Sequence, residues 1–247
     1  MRLDHSSHPN LLELSGVHTH IGAYHILHGV DLAVPRGQLT MLLGRNGAGK
    51  TTTLRTIMGL WRASQGRIAF GGADITALPT PAIARLNIAY VPENMGIFAD
   101  LTVQENLLLA ARGASRADRM DAQRLQWIFG MFPAVEKFWN HPAGKLSGGQ
   151  KQMVAVARAI VEPRDLLIVD EPSKGLAPAI IENMIAAFAQ LKAGGTTIVL
   201  VEQNLGFARR LGDRVAVMDN GRVVHAGGMA EFSADAALQQ SLLGLSL

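Results

Sequence analysis

Gly44-Arg45-Asn46-Gly47-Ala48-Gly49-Lys50-Thr51 follows a largely apolar run, Leu39 to Leu43, and precedes a helix-type stretch, Thr52 to Leu60. No other segment limits the fold as tightly, because strand, glycine loop and helix in this order place a helix N-terminus directly after a buried strand. Bare backbone N–H groups and the positive end of the helix dipole, roughly half a charge, then face whatever the loop encloses. Such a loop wraps a polyphosphate. Gly44, Gly47 and Gly49 permit close approach. Arg45, Asn46, Ala48 and Thr52 complete the cradle, Lys50 is placed to reach the β- and γ-phosphates, and the Thr51 hydroxyl to ligate Mg²⁺. The expected ligand is a nucleoside triphosphate.

A second acidic element agrees with this. Leu166-Leu167-Ile168-Val169 is a short, wholly apolar run that ends in Asp170-Glu171-Pro172. It reads as a buried strand that delivers two carboxylates at its C-terminal end, where ligands of α/β sheets bind. Asp170 is assigned to Mg²⁺, and Glu171 to the attacking water as general base.

The rest of the chain reads as α/β. Short β-type runs at Leu11 to Val17, Ile26 to Val34 and Arg67 to Phe70 predict an antiparallel lobe beside the nucleotide. From about Pro92 to Val161 the pattern is helical, with amphipathic candidates at Val103 to Arg112, Arg116 to Phe132 and Gln150 to Val161. Strand-like runs return at Leu166 to Val169, Thr197 to Val201 and Arg214 to Met218, with a helix over about Ala179 to Lys192 between the first two, which implies a parallel sheet. Asn220-Gly221 has the chemistry of a type I′ turn, so the last strand, ending near Ala226, is predicted antiparallel, with a short helical tail after it. The expected organisation is one domain over 1–247. Residues 1–92 and 162–247 form the β lobe and a phosphate-loop core, and 93–161 form an inserted helical subdomain.

Composition narrows the class. With 48% hydrophobic and 17% charged residues, 247 residues bury a substantial core. No cysteine is present, so disulfides and thiolate chemistry are excluded. The first eight residues lack the apolar stretch of a secretory signal, and no apolar run approaches membrane-spanning length, so the chain is not expected to span a bilayer. The net charge of +3 comes from scattered Lys and Arg, which predicts a solvated surface and no nucleic-acid partner.

Leu146-Ser147-Gly148-Gly149-Gln150 admits two readings. Ser147 with Gln150 is a capping box for the helix running on to Val161. That box leaves unexplained two glycines in the first turn, each costing on the order of 1 kcal/mol of helix propensity. Exposed amides there make a second anion site, and one chain does not readily focus both helix starts on one γ-phosphate.

The phosphate loop, Leu146 to Gln150 and Asp170-Glu171 together resemble the ATP-binding-cassette ATPases, over nearly the whole chain. The resemblance implies a RecA-like phosphate-loop core, ATP and Mg²⁺ as ligands, and a dimer in which Ser147, Gly148, Gly149 and Gln150 of one subunit close over ATP held by the other. It assigns Glu171 as the catalytic glutamate. Several positions depart from the family's common pattern. Tyr90-Val91-Pro92-Glu93 has Glu93, a candidate ligand of the metal or its water, where glutamine is usual. Val201-Glu202-Gln203-Asn204 has Gln203 in place of the switch histidine. Ile21-Gly22 lacks the aromatic that stacks on adenine, for which Tyr24 is a candidate substitute. In Ser173-Lys174-Gly175-Leu176-Ala177, Ala177 stands where an aspartate is common.

Glu93, Gln203 and Glu171 to Pro178 together resemble one ATP-binding subunit of the branched-chain amino acid importers. That implies a homo- or heterodimer with a second cassette subunit, docked on integral membrane permeases at the cytoplasmic face of the bacterial inner membrane, with an external solute-binding protein as an indirect partner. Related importers for urea, amides or aromatic acids share the pattern. A cassette ATPase acting on DNA or ribosomes would be expected to carry a coiled-coil insertion or a tandem cassette, and a GTPase an Asn-Lys-x-Asp motif; the chain has none of these.

Overall fold

A computed structural model of the chain describes residues 8–111 and 120–244. Hydrophobic periodicity builds two sheets. The smaller is antiparallel, in the order β2-β1-β4-β5, from β1 (Asn10–Ile21), β2 (Tyr24–Pro35), β4 (Ala63–Phe70) and β5 (Ala73–Asp74). The larger has the order β10-β9-β3-β8-β7-β6, from β3 (Leu39–Gly44), β6 (Ile88–Val91), β7 (Leu166–Asp170), β8 (Thr197–Val201), β9 (Arg214–Asp219) and β10 (Arg222–Gly228). Its first five strands in chain order pair in parallel, and β10 returns antiparallel to β9. Asn220 and Gly221 both have positive φ, 45° and 72°, as a type I′ turn requires.

Period-2 alternation along β3 divides the core. Leu39, Met41 and Leu43 face one apolar cluster and Leu42 the other. The helices are α1 (Lys50–Ile57), α2 (Thr80–Ala84), α3 (Val103–Leu108), α4 (Ala122–Met131), α5 (Pro133–Lys137), α6 (Gly148–Ala159), α7 (Pro178–Ala193), α8 (Leu205–Leu211), α9 (Met229–Ala234) and α10 (Ala236–Leu243). The first cluster joins the sheet to α3, α6, α7 and α8 through Leu107, Val156, Phe188 and Phe207. The second joins it to α1 and the smaller sheet through Leu54, Ile57, Leu12 and Phe70. The helix that leaves the phosphate loop is thus held between two sheets.

Several elements differ from expectation. The helix read from Thr52 starts two residues earlier and stops at Ile57. The one read from Val103 ends at Leu108, and Arg112 lies outside the described residues. Residues 116–119 of the next predicted helix also lie outside them; its described part is α4, capped by Asp121, whose side chain accepts from Arg124 N. It ends at Phe132 because Pro133 disfavours helical geometry in the residue before it. Strand β6 and helices α2, α5 and α8 were not read from the sequence, being four to seven residues long. Among the described residues, those between β6 and β7 contribute no strand to either sheet, and no helix is long and apolar enough to cross a membrane.

Phe188 of α7 is fully buried, edge-on to Phe207 of α8 with ring centroids 6.3 Å apart. Phe188→Ala is expected to destabilise the chain by about 3–5 kcal/mol, read as a lower urea midpoint with an unchanged slope.

Candidate functional site

Four parallel strands, β3, β8, β7 and β6, lie side by side, and each is followed at its C-terminal end by a predicted site residue. The phosphate loop follows β3, Gln203 follows β8, Asp170-Glu171 closes β7, and Glu93 follows β6. Sheet topology alone brings these four loops to one edge.

The phosphate loop is tightly fixed. Gly44 has φ +148°, and a Cβ there would lie 2.3 Å from the Met218 carbonyl oxygen, so only glycine fits. At Gly47, by contrast, a Cβ would meet nothing within 4 Å. Helix α1 starts at Lys50 with no side-chain cap and no acidic residue in its first turn. In α3, α4, α6, α8 and α10 a side chain caps the N-terminus. Helices α2, α5, α7 and α9 also lack a side-chain cap, but only α1 follows the glycine loop at the end of a buried strand, where its amides suit an anionic ligand. Lys50 Nζ donates to the carbonyls of Gly44 (2.7 Å) and Arg45 (3.0 Å), folded over the loop. Burial lowers its pKa, against the opposing pull of Glu171, Asp170, Glu202 and Glu93.

Asp170 is 1% exposed, and both carboxylate oxygens are buried without a hydrogen-bond partner. Burial raises its pKa, and the nearby Thr51 hydroxyl partly offsets that rise. A buried carboxylate with no partner is costly unless a cation completes it. Thr51, Asp170 and an open anion cradle are a donor set that fits Mg²⁺ held between protein oxygens and phosphate. Tyr90, near enough to Asp170 to feel its charge, has its phenol pushed up to about 12, mainly by burial and then by that charge, so it stays neutral.

Glu171 occupies the left-handed region at φ 49°, a strain of order 1–3 kcal/mol, where its N–H donates to Val201 O at 2.9 Å. Gln203 Nε2 donates to Glu171 Oε1 and, at 2.7 Å, to Asn46 Oδ1. The structure therefore joins Asn46, Gln203 and Glu171 directly. Glu93 forms an ion pair with Lys174 at 2.6 Å, and Lys174 also lies 3.3 Å from Glu171 Oε2. The Glu93 charge still acts on Asp170, but its contact is with the lysine.

Ser147 and Gln150 form the reciprocal capping box, with Gln150 Oε1 accepting from Ser147 N at 2.9 Å and Ser147 Oγ accepting from Gln150 N at 3.4 Å. Gly149 acquires a packing reason, because a Cβ there would lie 3.0 Å from the Ile180 side chain of α7. Gly148 has none, with open space where its Cβ would be. Among the described residues no hydrogen bond joins this element to residues 44–51 of the same chain. Tyr24, in register with Ile21 at the end of the β1–β2 hairpin, is 76% exposed.

Sequence reasoning missed two residues. Glu202, 2% exposed, accepts from the backbone N–H of Ser173 (2.9 Å), Gln203 (3.1 Å) and Asn204 (3.3 Å), and so sets the loops after β7 and β8. Burial still raises its pKa. A lone acid directly after the fully apolar Ile198 to Val201 was the available signal. Lys174 had none, since its two partners lie on other loops or one turn away.

Residues 27–174 match the family model described as ABC transporter. The chain is 40% identical over 215 residues, 87% of its length and 91% of the relative's, to the high-affinity branched-chain amino acid transport ATP-binding protein BraG of Pseudomonas aeruginosa. A solved ATP-binding subunit of an ABC transporter superposes with TM-score 0.80 at 32% identity, over 96% of this chain and 95% of that one. The dimeric post-hydrolysis state of the ATP-binding cassette MJ0796 bound to ADP and Pi superposes with TM-score 0.78 at 26% identity, over 88% and 98%.

Asp170→Asn removes a buried unpaired charge, so without ligand it is expected to melt no lower than the wild type. It is also expected to lose most of the melting-temperature increment that Mg²⁺ adds over ATP alone, as measured by differential scanning calorimetry.

Proposed function

Because the chain belongs to the ABC transporter family of ATP-binding proteins, we propose that it hydrolyses ATP to drive an importer of branched-chain amino acids. The observation that carries the hydrolytic part is the convergence of an uncapped helix start, an orphaned buried Asp170 and a strained Glu171 held by Gln203 at one sheet edge. The solute class rests on the identity to BraG over most of both chains.

In this reading the loop amides and Lys50 take the triphosphate, Lys50 exchanging its carbonyl partners for phosphate oxygens. Thr51 and Asp170 would hold Mg²⁺, which would supply charge neutralisation of the bound polyphosphate. Glu171 orients the attacking water and accepts its proton, and Gln203, which has no titratable group, fixes the carboxylate and links it to Asn46. The Ser147 amide cluster, which among the described residues makes no hydrogen bond to its own phosphate loop, serves the nucleotide of a second cassette subunit. The groove of about 790 Å³ lined by Met58, Trp61, Ile88, Tyr90 and Pro92, with Arg55, Arg158 and Arg164 also on its wall, is assigned to a permease segment, which would place the subunit at the cytoplasmic face of the membrane. Tyr24, exposed at the hairpin end, is left free to cover an adenine ring.

Glu171→Gln is expected to bind ATP with unchanged affinity and to turn over roughly 10²- to 10⁴-fold more slowly. Adding Ser147→Arg to that background is expected to prevent the ATP-dependent shift from monomer to dimer in light scattering. Phosphate release at the wild-type rate from Glu171→Gln would overturn its role as base.

A further inference from the structure

Both carboxylate oxygens of Glu171 have a donor group beside them. Oε1 is taken by Gln203 and Oε2 faces Lys174 at 3.3 Å. Each oxygen keeps a second lone pair, but a donor already beside it competes with the water that a general base must bind, so loosening one of these contacts favours hydrolysis. The Gln203 contact is tied back to Asn46 in the phosphate loop and belongs to the nucleotide side. The Lys174 contact is tied elsewhere. Its shorter partner is Glu93 at 2.6 Å, on the loop after β6, and the residues on either side of Glu93, Pro92 and Asn94, line the groove of about 790 Å³.

We infer that Lys174 is a positioning residue that occupies Glu171 at rest and releases it when the Glu93 loop moves, linking the groove to the catalytic carboxylate. The inference rests on the ATPase reading proposed for this site. The lysine side chain is 59% exposed and that of Glu93 45%, whereas that of Glu171 is only 10% exposed. The Lys174–Glu93 pair is exposed, weak and screened by salt, and the lysine that reaches Glu171 is itself open to solvent, which suits a contact that opens in every cycle. Lys174 also supplies the one cation seen paired with both Glu93 and Glu171 among the described residues, so a carboxylate on the groove-facing loop does not add uncompensated charge beside the triphosphate. With Glu93 neutralised, Lys174 is left with Glu171 alone and blocks it more firmly.

The test uses the full-length chain, with kcat and KM for Mg-ATP measured at low and high salt. Lys174→Met is expected to raise kcat about two- to fivefold at low salt, the range of an exposed ion pair, and to be insensitive to salt. The wild type should climb toward it as salt rises, and Lys174→Arg should restore wild-type behaviour. Glu93→Gln is expected to lower kcat about two- to fivefold, and that loss should vanish in the Lys174→Met background. A Lys174→Met rate at or below wild type, or a Glu93→Gln loss that persists without the lysine, overturns the latch while leaving the ATPase reading intact. A wild type no faster than Glu171→Gln overturns both.

Discussion

Burial of the central strands on both faces is the constraint on which the rest of the molecule depends. Every residue of β3, β7 and β8 is buried, with one apolar cluster on each side. Apart from Thr40 and Thr197 these strands carry apolar side chains up to their C-terminal ends, so charged chemistry appears where they end. Parallel pairing makes all of those ends point the same way, so the phosphate loop, the carboxylates and Gln203 meet without any of them being close in sequence.

The polar edge is held by charges that the apolar layers isolate. Glu202 sits at the centre, its carboxylate gathering three backbone amides from two loops. From there a line of side chains runs outward, Asn46 to Gln203 to Glu171 to Lys174 to Glu93, crossing all four strand ends. Asp170, between them, lacks a partner for either oxygen. The arrangement is complete except at the one carboxylate suited to a divalent cation.

How much of this was legible depended on whether the cause was local. Strands β7, β8 and β9 were readable almost to the residue because their burial shows directly as unbroken hydrophobicity. The capping box at Ser147 and the turn at Asn220-Gly221 were readable because each is a short-range pattern with its own geometry. Strand β6 was not, since its four residues run straight into Pro92 and owe their extended form to pairing with Leu166 to Val169. The same holds within the site. Residues 44–51 and Asp170-Glu171 announce themselves, whereas the Lys174 bridge and the Ile180 side chain that restricts Gly149 exist only once distant segments are packed together.

The β9–β10 turn illustrates what such packing does to a surface feature. Gly221 N donates to Ala48 O inside the phosphate loop, and Gly221 O accepts from His28 N on β2, both at 2.9 Å. A hairpin tip is ordinarily the place where a chain tolerates added residues or a cut. Here the tip is a rivet through three layers, so grafting a tag or a new terminus at 220–221 would loosen the cradle itself.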